Sequence, residues 1–114
     1  MPYLKIIVSK TIDANRKHAL LTAASAQVVA ALGKPEQYMM VSVEAPVQML
    51  FAGSEEACAF LELRAIGLPK SKAGRLTQLL GELVETHLGI RKDRVYINFT
   101  DVPPSQWGWN GQTF

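Results

Sequence analysis

The sequence predicts an α+β fold: a four-stranded mixed sheet with two helices on one face, built from a β–α–β unit that occurs twice. Three observations predict it. Apolar residues alternate along four short segments, as a half-buried strand requires. Two longer segments carry apolar residues at helical spacing and stop at a glycine. The second half of the chain then repeats the order and register of the first.

The first strand runs from Tyr3 to Ser9, with Leu4, Ile6 and Val8 alternating against Tyr3, Lys5 and Ile7. Thr11 or Asp13 supplies an N-cap, because a short side-chain oxygen can accept from the first free helical N–H groups. Leu20, Leu21, Ala24, Val28, Ala31 and Leu32 form a helical stripe. Gly33 ends it in a left-handed turn, and Pro35 prevents its resumption. Met39, Val41 and Val43 alternate with Met40, Ser42 and Glu44 as a second strand.

The pattern then begins again. Cys58–Ala65 is a strand, and Gly67, Pro69 and Ser71 mark a loop and a cap. Leu76, Leu79, Leu80, Leu83, Val84 and Leu88 form a second stripe ending at Gly89. Val95, Ile97 and Phe99 alternate with Tyr96, Asn98 and Thr100. Leu32-Gly33 thus matches Leu88-Gly89, and Met39, Val41 and Val43 match Val95, Ile97 and Phe99. Two parallel right-handed crossovers place both helices on one face and leave the other uncovered. Tyr96 and Asn98 share that uncovered side. An apolar uncovered face finds a partner, so an oligomer is expected. The aromatic tail from Val102 to Phe114 is expected to dock on a neighbour or line a pocket.

A chain of 114 residues has room for one domain, residues 1–114. A 48% apolar and 19% charged composition is that of a globule. A net charge of +2, with scattered basic residues, implies no nucleic-acid partner. No apolar run reaches the roughly 18 residues that span a bilayer, so no membrane segment is expected. The N-terminus lacks a secretory layout, and the single cysteine, Cys58, fits a reducing compartment. A cytoplasmic location is expected. His18 and His87 have no partners at ligand spacing, so neither metal nor cofactor is expected. Gly67–Gly74 lacks the order of a phosphate loop, and Cys58 has no Cys-x-x-Cys partner.

Pro2 admits two readings. A proline is tolerated at the first residue of a strand because it has no N–H to donate. With Met1 removed, Pro2 instead presents a secondary amine, which an apolar pocket turns into a base near neutral pH.

Met1-Pro2 opening a strand, Gly33-Lys34-Pro35 followed by Gln37-Tyr38, Ala65-Ile66-Gly67, Asp93-Arg94-Val95-Tyr96-Ile97-Asn98, and Gly108-Trp109-Asn110 with Phe114 occur in one order along the chain. In this set the chain resembles the macrophage migration inhibitory factor family of the tautomerase superfamily. The resemblance implies a homotrimer, its three sheets wrapped into a barrel with active sites between subunits. It implies keto–enol tautomerisation of substrates such as phenylpyruvate and dopachrome, with Pro2 as catalytic base. Lys34 and the backbone of Ile66 would hold the substrate, Tyr96 and Asn98 would reach in from the adjacent subunit, and Tyr38, Trp109 and Phe114 would form apolar walls. Arg64 could assist, though a solvated strand-edge charge is the alternative. A rival reading is a cytokine-like binding protein with a vestigial pocket and an unspecified receptor, leaving the cell without a signal peptide. A third is hydration or dehalogenation by the same proline.

Overall fold

The computed structural model describes residues 1–114. The elements run β1 (Pro2–Val8), α1 (Ala14–Leu32), β2 (Met40–Glu44), β3 (Ala59–Ala65), α2 (Ala73–Leu88) and β4 (Val95–Asp101). A small hairpin follows, β5 (Gly108–Trp109) with β6 (Gln112–Thr113). The strands begin a residue away from the expected positions: β1 takes in Pro2, β2 starts at Met40, and β3 starts at Ala59.

The sheet order is β2-β1-β3-β4. Each helix links two parallel strands, β1 to β2 and β3 to β4, and the antiparallel pairing of β1 with β3 joins the repeats. Alternation decides which face is covered. Leu4, Ile6 and Val8 of β1 and Leu61 and Leu63 of β3 are fully buried, while their sequence neighbours are not. Leu20, Ala24 and Val28 of α1 and Leu76, Leu80 and Val84 of α2 close over them in one 19-residue core. Each fully buried leucine is worth about 2 kcal/mol of transfer free energy.

The helix ends differ in how they are held. Asp13, not Thr11, caps α1: its Oδ1 accepts from the Arg16 N–H at 2.8 Å. Ser71 does not cap α2, contrary to expectation. A 3-10 turn over Lys70–Lys72 leads into that helix, which has no side-chain cap. At the C-termini the repeat symmetry reappears. Lys72 Nζ donates to Ala31 O and Leu32 O at the end of α1, and Lys10 Nζ donates to Leu88 O at the end of α2. Each cation meets the negative end of the other repeat's helix.

The uncovered face is a grid of three rows. Met40, Tyr3, Arg64 and Thr100 form the row nearest Pro2; Ser42, Lys5, Glu62 and Asn98 the middle; Glu44, Ile7, Phe60 and Tyr96 the far row. This face carries more charge than expected. Its middle is ionic and its apolar side chains lie toward the two ends.

Candidate active site

The start of β1 and the segment after α1 form the site. Gly33, at φ 67°, ends α1 in a left-handed turn, and the Lys34 N–H donates back to Val29 O at 3.0 Å. That turn fixes Lys34 immediately beyond the helix. A Cβ placed on Gly67 would lie 3.8 Å from Lys34 Nζ, which puts the ammonium beside the Ala65-Ile66-Gly67 segment. Pro35 then starts a 3-10 turn over Glu36–Tyr38, tied to α1 by Ser25 Oγ donating to Glu36 Oε2 at 2.7 Å.

Tyr38 consequently faces the tail hairpin. Its ring meets Trp109 edge-on at 5.6 Å between centroids, and Phe114 stacks on Trp109 at 5.9 Å. Asn110 and Gly111 both have positive φ, as a two-residue hairpin turn requires. Between these aromatics and the sheet lies a cavity of about 340 Å³ lined by Pro2, Tyr38 and Trp109, together with Met1, Tyr3, Gln37, Met39, Met40, Trp107 and Gly108.

The electrostatics suit an amine that must lose its proton. The α-amine of Met1 titrates below its ordinary value, first because burial disfavours the ammonium and then because the Lys34 cation repels it. The Ile66 N–H donates to Met1 O at 3.3 Å. Loss of Met1 removes that acceptor and leaves a donor beside the new terminus.

Of the residues singled out in the sequence, Pro2, Tyr38 and Trp109 line the cavity, and Phe114 backs Trp109. Lys34 and Ile66 lie at the chain start. Arg64 lines an adjoining hollow instead. Tyr96 and Asn98 are not in the cavity. Pro2 is level with Ala65 and through it with Asp101, two strands away. At about 3.4 Å per residue and 4.8 Å per strand, Asn98 lies about 14 Å from Pro2 and Tyr96 about 19 Å. Sequence reasoning missed Tyr3, Gln37, Met39, Met40 and Trp107 as lining residues. Tyr3 and Met40 were within reach of it, since both follow from the β1–β2 register beside Pro2.

Two β–α–β units on one sheet define the class of fold, and the chain's N-terminal residue lies beside the aromatic cavity. The family model for macrophage migration inhibitory factor matches residues 1–114, and the chain belongs to that family. It is 38% identical to a macrophage migration inhibitory factor homolog of Brugia malayi, over 100% of this chain and 99% of the relative. It is 40% identical to the Meriones unguiculatus factor, over 83% of this chain and 84% of that one. Among solved structures, the homologue from Prochlorococcus marinus superposes with a TM-score of 0.94 at 39% identity, covering 98% of each chain. The factor from Toxoplasma gondii superposes at 0.93 with 35% identity, covering 98% and 99%.

Proposed function

We propose that this chain is a cofactor-independent isomerase that interconverts the keto and enol forms of small aromatic 2-oxo acids such as phenylpyruvate, acting as a homotrimer with Pro2 as base. Family membership supports an isomerase of the tautomerase type in general. One observation carries the finer reading: Pro2 lines an aromatic cavity, and the α-amine of Met1 next to it has its pKa lowered by burial and by Lys34, an environment the Pro2 amine would inherit once Met1 is lost.

The chemistry follows from that placement. With Met1 removed, the Pro2 nitrogen carries a lone pair; while Met1 remains it is an amide and has no basicity. The free amine takes a proton from the carbon next to the keto group. Negative charge moves to the keto oxygen, which is then protonated to give the enol. Lys34 serves the substrate carboxylate as a point charge, and the freed Ile66 N–H supplies a second donor. Tyr38 and Trp109 exclude water around the ring. Tyr96 and Asn98 enter from a second copy, since within one chain they lie too far away to reach the base.

The test is phenylpyruvate tautomerisation followed by ultraviolet absorbance, with loss of Met1 verified by mass. Pro2→Gly is expected to lower the rate at least ~100-fold, the effect of removing a positioned base. Equal rates in both proteins, or no activity in processed wild type, would favour a binding protein of the cytokine-like kind.

A further inference from the structure

Tyr3, Trp107 and Gly108 form one wall of the cavity at Pro2. A second hollow of about 280 Å³ opens on the other side of Tyr3, Trp107 and Gly108, which wall both spaces. Arg64, Val102 and Gln106 complete it. Arg64 stands directly across the strands from Tyr3 and is the only ion in the row of the open face nearest Pro2.

Its guanidinium is under-used. The one carboxylate it meets within the chain is Glu62, at 3.4 Å through a single nitrogen, with the arginine side chain 57% exposed in the single subunit. An exposed pair of that kind contributes little, and most of the five guanidinium N–H donors stay free. The neighbouring charges do not neutralise it. Lys5 lies across from Glu62 but reaches Glu44 of the far row at 3.7 Å, which leaves the weak contact with Arg64 as the one ion pair Glu62 makes. Asp101, the acid at the end of β4, accepts from the Leu68 N–H at 3.1 Å. Two cations thus border the region of Pro2, Lys34 beside the chain start and Arg64 in the adjoining hollow across from Tyr3.

We propose that Arg64, with Tyr3 and Gln106, forms a second anion subsite, and that the preferred substrates are aryl 2-oxo acids with a second carboxylate at the far end of the ring. This rests on the Pro2-centred reading above. The 2-oxo acid end lies toward Lys34 and the ring lies along the rim of the Tyr3–Trp107 wall that the two hollows share. The distal carboxylate meets the guanidinium in two parallel N–H···O bonds, a geometry a lysine cannot offer. That contact replaces the weak one to Glu62.

The experiment compares phenylpyruvate with 4-carboxyphenylpyruvate on the processed, full-length oligomer, for wild type, Arg64→Gln and Arg64→Lys. Wild type is expected to show a KM about tenfold lower for the diacid. Arg64→Gln brings the two KM values together, and Arg64→Lys keeps part of the gap. Equal KM values in wild type, or an Arg64→Gln effect of the same size on both substrates, overturns the subsite. A binding arm separates this from the reaction itself. Calorimetry with 3-(4-carboxyphenyl)propanoate and 3-phenylpropanoate, which lack a keto group, reads the subsite without turnover. Tighter binding of the diacid that disappears in Arg64→Gln supports the subsite even where phenylpyruvate is not turned over. Equal binding of the two acids counts against it even where tautomerisation is fast.

Discussion

A terminal amine is a useful base only when its protonated form is disfavoured, and two different influences on it can be separated at the residue scale. Burial and the Lys34 cation both lower the pKa of the Met1 amine, with burial the larger, and the Pro2 amine exposed by loss of Met1 would sit beside the same two influences. Removing Lys34 removes only the second. In the processed protein, Lys34→Gln is therefore expected to raise the pH at which the Pro2 nitrogen titrates, without returning it to that of an exposed amine. Less free base is then present at neutral pH, and the acid limb of the kcat/KM profile moves upward. Titration of ¹⁵N-labelled Pro2 by NMR checks this directly, with Lys34→Arg as the charge-preserving control. An unchanged midpoint in Lys34→Gln would show that the lysine acts on substrate alone. Pro2 itself was only half legible in the sequence. Its position fits a strand opening as well as it fits a base, and the enclosing Tyr38 and Trp109 come from segments that only the fold brings together.

At the scale of elements, the strands and helices were legible because each announces itself locally. Leu4, Ile6 and Val8 alternate, and Gly33 and Gly89 end the two helices in left-handed turns. The tail hairpin was missed although Asn110-Gly111 is a hairpin signal, because its strands are two residues long and show no alternation. The segment between β2 and β3 was illegible for a different reason. Its organiser is Arg94, 7% exposed at the head of β4. Nη1 donates to Phe51 O at 2.9 Å, Nη2 to Glu56 O at 2.7 Å and Ser54 O at 3.3 Å, and Nε to Ala57 O at 3.5 Å. The guanidinium also lies 4.8 Å over the Phe51 ring, which packs on Tyr96 at 4.6 Å. No periodicity marks a side chain that replaces secondary structure. Arg94→Ala leaves these carbonyls without their donor and is expected to cost about 3 kcal/mol. Arg94→Lys, with a single donor centre, recovers only part. Urea unfolding at one fixed protein concentration measures both, since an oligomer's stability depends on concentration. A loss under about 0.5 kcal/mol in Arg94→Ala, the size of an ordinary surface change, would mean that the segment holds itself.

The whole molecule poses the question of whether one site uses residues from both ends of the sheet. Strand alternation alone placed Tyr96 and Asn98 on the uncovered face. Their separation from Pro2 needed the sheet order and register, which join β1 to β3 and so carry β4 two strands away from the base. Tyr96 is 63% exposed and Met40 65%, at opposite edges of that face, as surfaces awaiting a neighbour would be. If the site is shared between copies, two inactive variants should repair each other. Pro2→Gly lacks the base but keeps Tyr96 and Asn98; the double variant Tyr96→Ala, Asn98→Ala keeps the base. Unfolded together in equal amounts and refolded, they form mixed rings in which a site works when a base-bearing subunit is followed by one bearing Tyr96 and Asn98. Random assembly makes about one site in four of that kind, so roughly a quarter of wild-type activity should return. Each variant refolded alone controls for residual rate, and an equal mixture of the two without unfolding controls for exchange. Restoration fits only a site built across the interface, because a site contained within one chain is defective in every subunit of the mixture. With mixed rings verified by native mass spectrometry, activity no higher than the two variants alone would place the whole site within one subunit, and Tyr96 and Asn98 would lose their assigned role.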